Sequence, residues 1–166
     1  MKTKKLVLSS LFIALGVSTS HIIAIPVGIS KCFPVQHLIN VLSAVLLGPF
    51  YALWNAIAIS TLRNLMGVGT LLAFPGSIFG AFLAGILYKW IKKLLPVLIG
   101  EILGTGIIGS LASYPIAKFL MGTEVAFYFF IVPFLVSTIG GSIIGYLILK
   151  IMIKRKPIDK WINENK

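Results

Sequence analysis

The side chains of this sequence that could bind a small molecule lie near the ends of long apolar runs. His37 and Asn40 stand about one helical turn apart at the start of one run, and Arg63 lies near the end of the next. The full polar set is Lys31, Cys32, His37, Asn40, Tyr51, Asn55, Arg63, Asn64, Thr70, Ser110, Ser113 and Tyr114. Polar groups are costly in a bilayer and favour paired or functional roles there. Convergent polar groups between apolar walls predict a pocket for a small ligand.

Spacing or context excludes other chemistries. Residues 104–109 read G-x-G-x-x-G, but this dinucleotide-binding pattern requires a preceding strand, and here it lies within an apolar run. The sequence contains no G-x-x-x-x-G-K-[ST] and therefore no P-loop for ATP hydrolysis. Two isolated histidines and the single Cys32 provide neither a metal-ligand motif nor an intramolecular disulfide. We expect no metal, no cofactor and no enzymatic activity.

Composition indicates a membrane protein. The 166 residues are 58% hydrophobic and 11% charged, with a mean hydropathy of +1.01. A soluble domain has about 45–50% apolar and about 25% charged residues. The net charge is +11, but Lys and Arg stand between the apolar runs and do not form the continuous basic surface that nucleic acid requires.

The apolar runs predict an all-α, polytopic fold with six transmembrane helices in a single membrane domain, residues 1–166. A spanning helix takes about 20 residues, so six of them leave only short connections. The second helix is the shortest, about 20 Å at 1.5 Å per residue. The first run is too long for a signal peptide, and we expect it to be retained. The expected helices cover 6–25, 35–47, 49–66, 75–91, 94–120 and 125–153, followed by a basic tail at 154–166.

The distribution of cations predicts the orientation. With six spans, 12 Lys and Arg residues fall on the side of both termini, and only Lys31, Arg63 and Lys118 fall on the other. Cytoplasmic segments of membrane proteins are enriched in Lys and Arg. Both termini are therefore expected in the cytoplasm, with most of the polar set near the outer face.

Small residues recur at spacings that allow close packing of helices in lipid. Internal packing is the simpler interpretation of the stripes in the fourth, fifth and sixth helices: Gly76, Gly80 and Ala84; Gly100 and Gly104; Gly141 and Gly145. The first helix carries Ser10, Ala14 and Ser18 in an otherwise bulky segment. We consider that stripe the best candidate for docking to another membrane protein.

Several of these residues have two interpretations on sequence alone. Arg63 is either a ligand-binding cation or an interfacial anchor whose side chain extends to the membrane surface. Glu101 lies roughly 10 Å inside the cytoplasmic end of the fifth helix. It is either a paired structural carboxylate or a group that binds ligand or couples transport. Phe127 and Tyr128 are expected at the membrane interface or in packing.

Several short motifs together resemble the ThiW family. They are KCFPVQH at 31–37 with Asn40, LGP at 47–49, LRN at 62–64, GTLLAFPGS at 69–77, and GE at 100–101 followed by GTG at 104–106. The resemblance covers nearly the whole chain, from residue 6 to about residue 150. Members are identified as substrate-binding S components of energy-coupling-factor (ECF) transporters, associated with the thiazole precursor of thiamine.

The resemblance implies a function in uptake across a prokaryotic cytoplasmic membrane. The ligand would be hydroxyethylthiazole or a related thiamine precursor, bound in a pocket near the outer face. A transmembrane coupling subunit, driven by two ATP-binding subunits, would contact Ser10, Ala14 and Ser18. The expected substrate-binding residues are Phe33, Gln36, His37, Asn40, Asn55, Arg63, Asn64, Thr70, Phe74, Glu101 and Tyr114.

Two other functions stay open on sequence alone. One is a stand-alone secondary transporter of a small vitamin-like metabolite, with Glu101 as its proton-coupling carboxylate. The other is an S component for a different vitamin.

Overall fold

The computed structural model describes residues 2–27 and 30–164, which contain seven helices: six from the apolar runs and one from the basic tail. The helices are α1 (Lys2–Ser20), α2 (Pro34–Leu46), α3 (Pro49–Leu65), α4 (Pro75–Ile91), α5 (Leu94–Leu120), α6 (Ile131–Met152) and α7 (Lys156–Glu164). An antiparallel ribbon of β1 (Ile25–Val27) and β2 (Ser30–Cys32) joins α1 to α2, with Ile25 opposite Cys32. The expected helical fold is therefore observed, with this ribbon added.

Proline and left-handed residues set several of the helix ends. Pro34, Pro49 and Pro75 each stand in the first turn of a helix, where the missing N–H costs nothing and the fixed φ suits the helix. Gly48, at φ 92°, allows α3 to start three residues after α2 ends. Lys92 ends α4 in the left-handed region at φ 55°.

The first and last parts of the chain differ from the expected bounds. Helix α1 ends at Ser20 and not near residue 25, and Ile25, which precedes a proline and is therefore disfavoured in a helix, lies in β1. Helix α6 begins at Ile131, six residues later than expected. The tail contains α7, and Trp161 Nε1 donates a hydrogen bond to the Leu46 carbonyl at the end of α2, 2.9 Å away.

Helix α2 lies at the centre of the bundle, in contact with α1, α3, α4, α5 and α6. Ten of its 13 residues are buried. An apolar helix of this length is typical of a buried core helix rather than one that faces lipid along its whole length. Within the described residues, three helices are long and apolar enough to cross a membrane: Leu71–Ile91, Leu94–Leu120 and Ile131–Met152.

Small residues permit the close helix crossings. A Cβ on Gly104 would lie 2.7 Å from Gly80 Cα, and one on Gly100 would lie 2.9 Å from Ala84 Cα, so α4 and α5 meet backbone to backbone. This confirms internal packing for these two stripes. In contrast, Ser10, Ala14 and Ser18 are exposed on α1.

Residues 104–109 form a π-helical segment within α5 and directly follow the helical residues Leu94–Leu103. The glycines therefore open no strand-to-helix turn for a dinucleotide, as the sequence context indicates. A Cβ on Gly109 would overlap the Pro75 carbonyl group at the start of α4. These glycines serve close approach of two helices.

Gly141→Ala is expected to destabilise the protein, because the new Cβ would overlap the Pro34 carbonyl oxygen and lie 2.8 Å from His37 Cβ. The expected loss is about 1–3 kcal/mol of unfolding free energy, measured by thermal unfolding in detergent. Gly140→Ala is the matched control, since a Cβ there meets nothing within 4 Å. Equal stability of the two variants would contradict the α2–α6 packing.

Candidate functional site

A cavity of about 550 Å³ lies at the end of the bundle where α1, α3 and α5 end and α2, α4 and α6 begin. Every one of these helices, or a loop beside it, contributes to the lining. The polar and aromatic lining residues are Ser20, His21, Lys31, Phe33, Gln36, His37, Arg63, Thr70, Ser77, Thr123, Phe129, Phe130, Phe134 and Ser137. The cavity thus combines aromatic walls with polar side chains from several helices, an arrangement that could bind a small molecule.

A fully buried carboxylate lies behind this lining. Glu101 Oε1 is 2.9 Å from His37 Nδ1, 2.9 Å from Asn40 Nδ2 and 3.3 Å from Thr105 Oγ1. A carboxylate without water is tolerable only when donors surround it. An ionised Glu101 can only accept, so His37 Nδ1 carries a proton, and a neutral ring would keep Nε2 as an acceptor. The position of His37 in the cavity lining is therefore fixed by Glu101.

The network continues from Glu101 toward the cavity through amide side chains. Asn40 Nδ2 also approaches the Ser77 carbonyl at 3.3 Å, and Gln36 Nε2 donates to Asn40 Oδ1 at 3.4 Å. Gln36 is buried and lines the cavity, and its Oε1 has no partner among the described residues. A buried acceptor without a donor is costly, so a ligand N–H or O–H at this position would be stabilising.

Arg63 stands in the last turn of α3, and its side chain is buried, with 2% exposed. Its Cζ lies 3.7 Å from the centroid of the Phe33 ring, within the range of cation–π attraction. The guanidinium is therefore held inside the bundle against an aromatic ring, which favours the ligand-binding interpretation over the anchoring one. Arg63 and Phe33 form one wall of the cavity.

The β1–β2 ribbon is fastened to α6 by two hydrogen bonds that position Phe33. Cys32 Sγ donates to the Pro133 carbonyl at 3.1 Å, and the Phe33 amide donates to Ser137 Oγ at 2.9 Å. Burial raises the pKa of the Cys32 thiol, which outweighs the lowering by its hydrogen bond with Ser137. The thiolate is the nucleophilic form, so this thiol is unreactive near neutral pH.

Asn64 supports the cavity from outside. Its Nδ2 donates to the Ser60 carbonyl at 2.8 Å and to the Thr70 carbonyl at 3.0 Å. The amides of Val68 and Gly69 both bond the Arg63 carbonyl. These bonds fold the loop after α3 against the helix end and bring Thr70 to the cavity.

The structure brings together some of the expected binding residues and separates others. Those that line the cavity are Phe33, Gln36, His37, Arg63 and Thr70, while Asn40, Asn64 and Glu101 contact them from behind.

Three expected residues lie elsewhere. Asn55 is hydrogen-bonded to Ser9 and Ser43, so it joins α1, α2 and α3. Phe74 precedes α4 without lining the cavity, and Tyr114 is bonded to Lys118 at 3.5 Å.

Sequence reasoning missed much of the aromatic wall, which Phe129, Phe130 and Phe134 contribute. The aromatic run at 127–130 could have indicated this wall, but its hydrophobicity favours a helix. In the structure these residues form turns before α6, with Phe127 and Tyr128 exposed and Phe130 buried. His21, just beyond α1, also lines the cavity, and the sequence did not predict this.

Comparison with known families gives one match. A family model described as thiamine-precursor transporter protein (ThiW) matches residues 6–155. No curated protein and no solved structure matches the chain.

Glu101→Ala is expected to destabilise the fold by about 3–5 kcal/mol, because the change leaves His37, Asn40 and Thr105 without their buried acceptor. Thermal unfolding in detergent measures the loss. Glu124→Ala is the control, since that carboxylate is exposed. A Glu101 variant as stable as the Glu124 variant would show that the network does not hold the helices together.

Proposed function

Because the chain belongs to the ThiW family of thiamine-precursor transporters, we propose that it is the substrate-binding subunit for uptake of the thiazole precursor, hydroxyethylthiazole or a derivative of it. The observation that carries this proposal is the cavity at one end of the bundle. Its volume of about 550 Å³ falls within the usual range for small-molecule sites. Its aromatic walls suit a flat heteroaromatic ring.

The polar lining offers few but specific partners to such a ligand. Gln36 Oε1 would accept a hydrogen bond from the hydroxyl group of the ligand, and the Thr70 hydroxyl would donate one to the thiazole nitrogen. These groups come from α2 and from the loop between α3 and α4. The aromatic rings of Phe33 and Phe130 would cover the thiazole faces, which gives a site that distinguishes ring shape as well as hydrogen-bonding groups.

The chain is a multi-pass membrane protein, and we propose that six segments, α1 to α6, traverse the prokaryotic cytoplasmic membrane with both termini inside. The 12-to-3 distribution of cations supports this orientation. The short α2 fits the arrangement because its neighbours, and not lipid, surround most of it. The cavity would then face the exterior, where the precursor is captured.

Transport would require partners of the ECF type, namely a transmembrane coupling subunit and two ATP-binding subunits. The absence of a P-loop from the sequence supports ATP hydrolysis on another chain. The exposed stripe of Ser10, Ala14 and Ser18 on α1 supports a helix contact there, since small residues allow close approach in lipid.

A second candidate is a secondary transporter that works alone. The observation in its favour is the buried Glu101–His37 pair directly behind the cavity, because such pairs can carry protons in membrane transporters. An S component for another vitamin would share the architecture and differ in the ligand.

Gln36→Leu is expected to weaken binding of hydroxyethylthiazole about three- to tenfold, the effect of losing one hydrogen bond. Isothermal titration of the purified protein measures the affinity, with thiamine and its pyrimidine precursor as competing candidates. Tyr114→Phe is the control, since Tyr114 lies outside the cavity. Binding of another vitamin in place of the thiazole would refute the substrate assignment.

Reconstitution distinguishes the two transport modes. Proteoliposomes that contain only this chain are expected to show no uptake, and addition of an ECF coupling module with ATP is expected to start it. Uptake by the chain alone, driven by a proton gradient and abolished by Glu101→Gln, would instead establish the secondary transporter.

A further inference from the structure

The charge of the cavity lining is one-sided. Lys31 and Arg63 both line the cavity, and none of the described residues that line it is acidic. This end of the bundle carries one further cation, Lys118, which lies outside the lining. Two of the three cations at the cation-poor end thus line a single cavity. Neither contributes to the excess of cations that predicts the orientation of the chain in the membrane.

Arg63 has no anionic partner in the protein. Among the side chains that the structure describes, no acidic one pairs with it, and its buried Nε makes no hydrogen bond to any of them. Removing a guanidinium from water without a counter-charge is costly, and the face of one aromatic ring offsets only part of that cost. An anionic ligand would supply the counter-charge that the protein does not.

Glu101 is not that partner. Oε1 of this fully buried carboxylate accepts hydrogen bonds from His37, Asn40 and Thr105, and its Oε2 has no partner among the described residues. No ion pair joins it to Arg63 in the described chain. The positive charge beside Phe33 is therefore open to a ligand.

We propose that the ligand carries an oxyanion, a carboxylate or a phosphate ester, and that Arg63 binds it. The planar guanidinium presents several N–H donors in a geometry that matches both groups, and stacking on Phe33 holds it in place. Lys31, exposed at the cavity, would add a second attraction. The identity of the ring rests on the proposed function, whereas the anion preference rests on the charges alone.

Two series of probes test the inference by titration of the purified protein. The first compares hydroxyethylthiazole with its phosphate ester and with the corresponding carboxylic acid. The second compares benzyl alcohol with benzyl phosphate and benzoate. The oxyanion members are expected to bind on the order of tenfold tighter than the neutral alcohols, because hydrogen bonds to charged groups are stronger than those to neutral groups. A difference between the phosphate and carboxylate members shows which oxyanion the site accepts.

Charge variants locate the effect. Arg63→Gln is expected to abolish the preference, Arg63→Lys to retain part of it, and Lys118→Gln, which alters a cation outside the cavity, to retain all of it. Thermal unfolding verifies that each variant is folded. If Arg63→Gln does not fold, the partial loss of preference in Arg63→Lys still tests the inference.

The outcomes separate this inference from the proposed function. Equal affinity for alcohols and oxyanions, or a preference that survives Arg63→Gln, overturns the inference. Binding of the neutral thiazole alone overturns it while sustaining the proposed function. An Arg63-dependent oxyanion preference in the benzene series without any thiazole binding sustains the inference and overturns the proposed function. Binding of neither series overturns both.

Discussion

Glu101 is fully buried between α2 and α5, and it accepts hydrogen bonds from His37, Asn40 and Thr105. A carboxylate in this position forces the surrounding helices to supply donors at fixed places, since an unpaired one is costly in an apolar interior. Its own backbone carbonyl accepts from Thr138 Oγ1 of α6 at 3.4 Å. Three helices are thereby held in one register, and the cavity lies directly beyond the histidine of this network.

The requirement for donors near Glu101 explains why the bundle is so tightly packed around α2. Close approach of α4 to α5 is possible because Gly80 and Gly104 have no side chains, and close approach of α6 to α2 is possible because of Gly141. At the contact of α4 with α2, the Ser77 backbone carbonyl comes within reach of Asn40 Nδ2, 3.3 Å away. The small residues and the polar network are therefore parts of one arrangement.

The cost of burying a charge distinguishes Glu101 from Arg63, because the two side chains differ in their partners. Glu101 has its donors within the protein, whereas Arg63 has only the ring of Phe33. Glu101 thus belongs to the packed helices, whereas Arg63 is available to the ligand of the proposed anion site. Phe33 itself depends on the ribbon that Cys32 and Ser137 fasten to α6, so the ring that stacks on Arg63 is positioned by a loop, whereas Arg63 belongs to α3.

The sequence by itself determined the membrane class, the helical fold, most helix starts and the family, because hydropathy, proline and short motifs are local signals. It also placed Gln36, His37, Arg63 and Thr70 together at one end. It did not separate Asn55 from the pocket or bring Phe130 into it, since a residue's distance from a cavity depends on helix rotation and loop path. Tertiary structure alone decided that Glu101 Oε1 meets His37 and Asn40 and that Arg63 stacks on Phe33, because such contacts require side chains from different parts of the chain to meet.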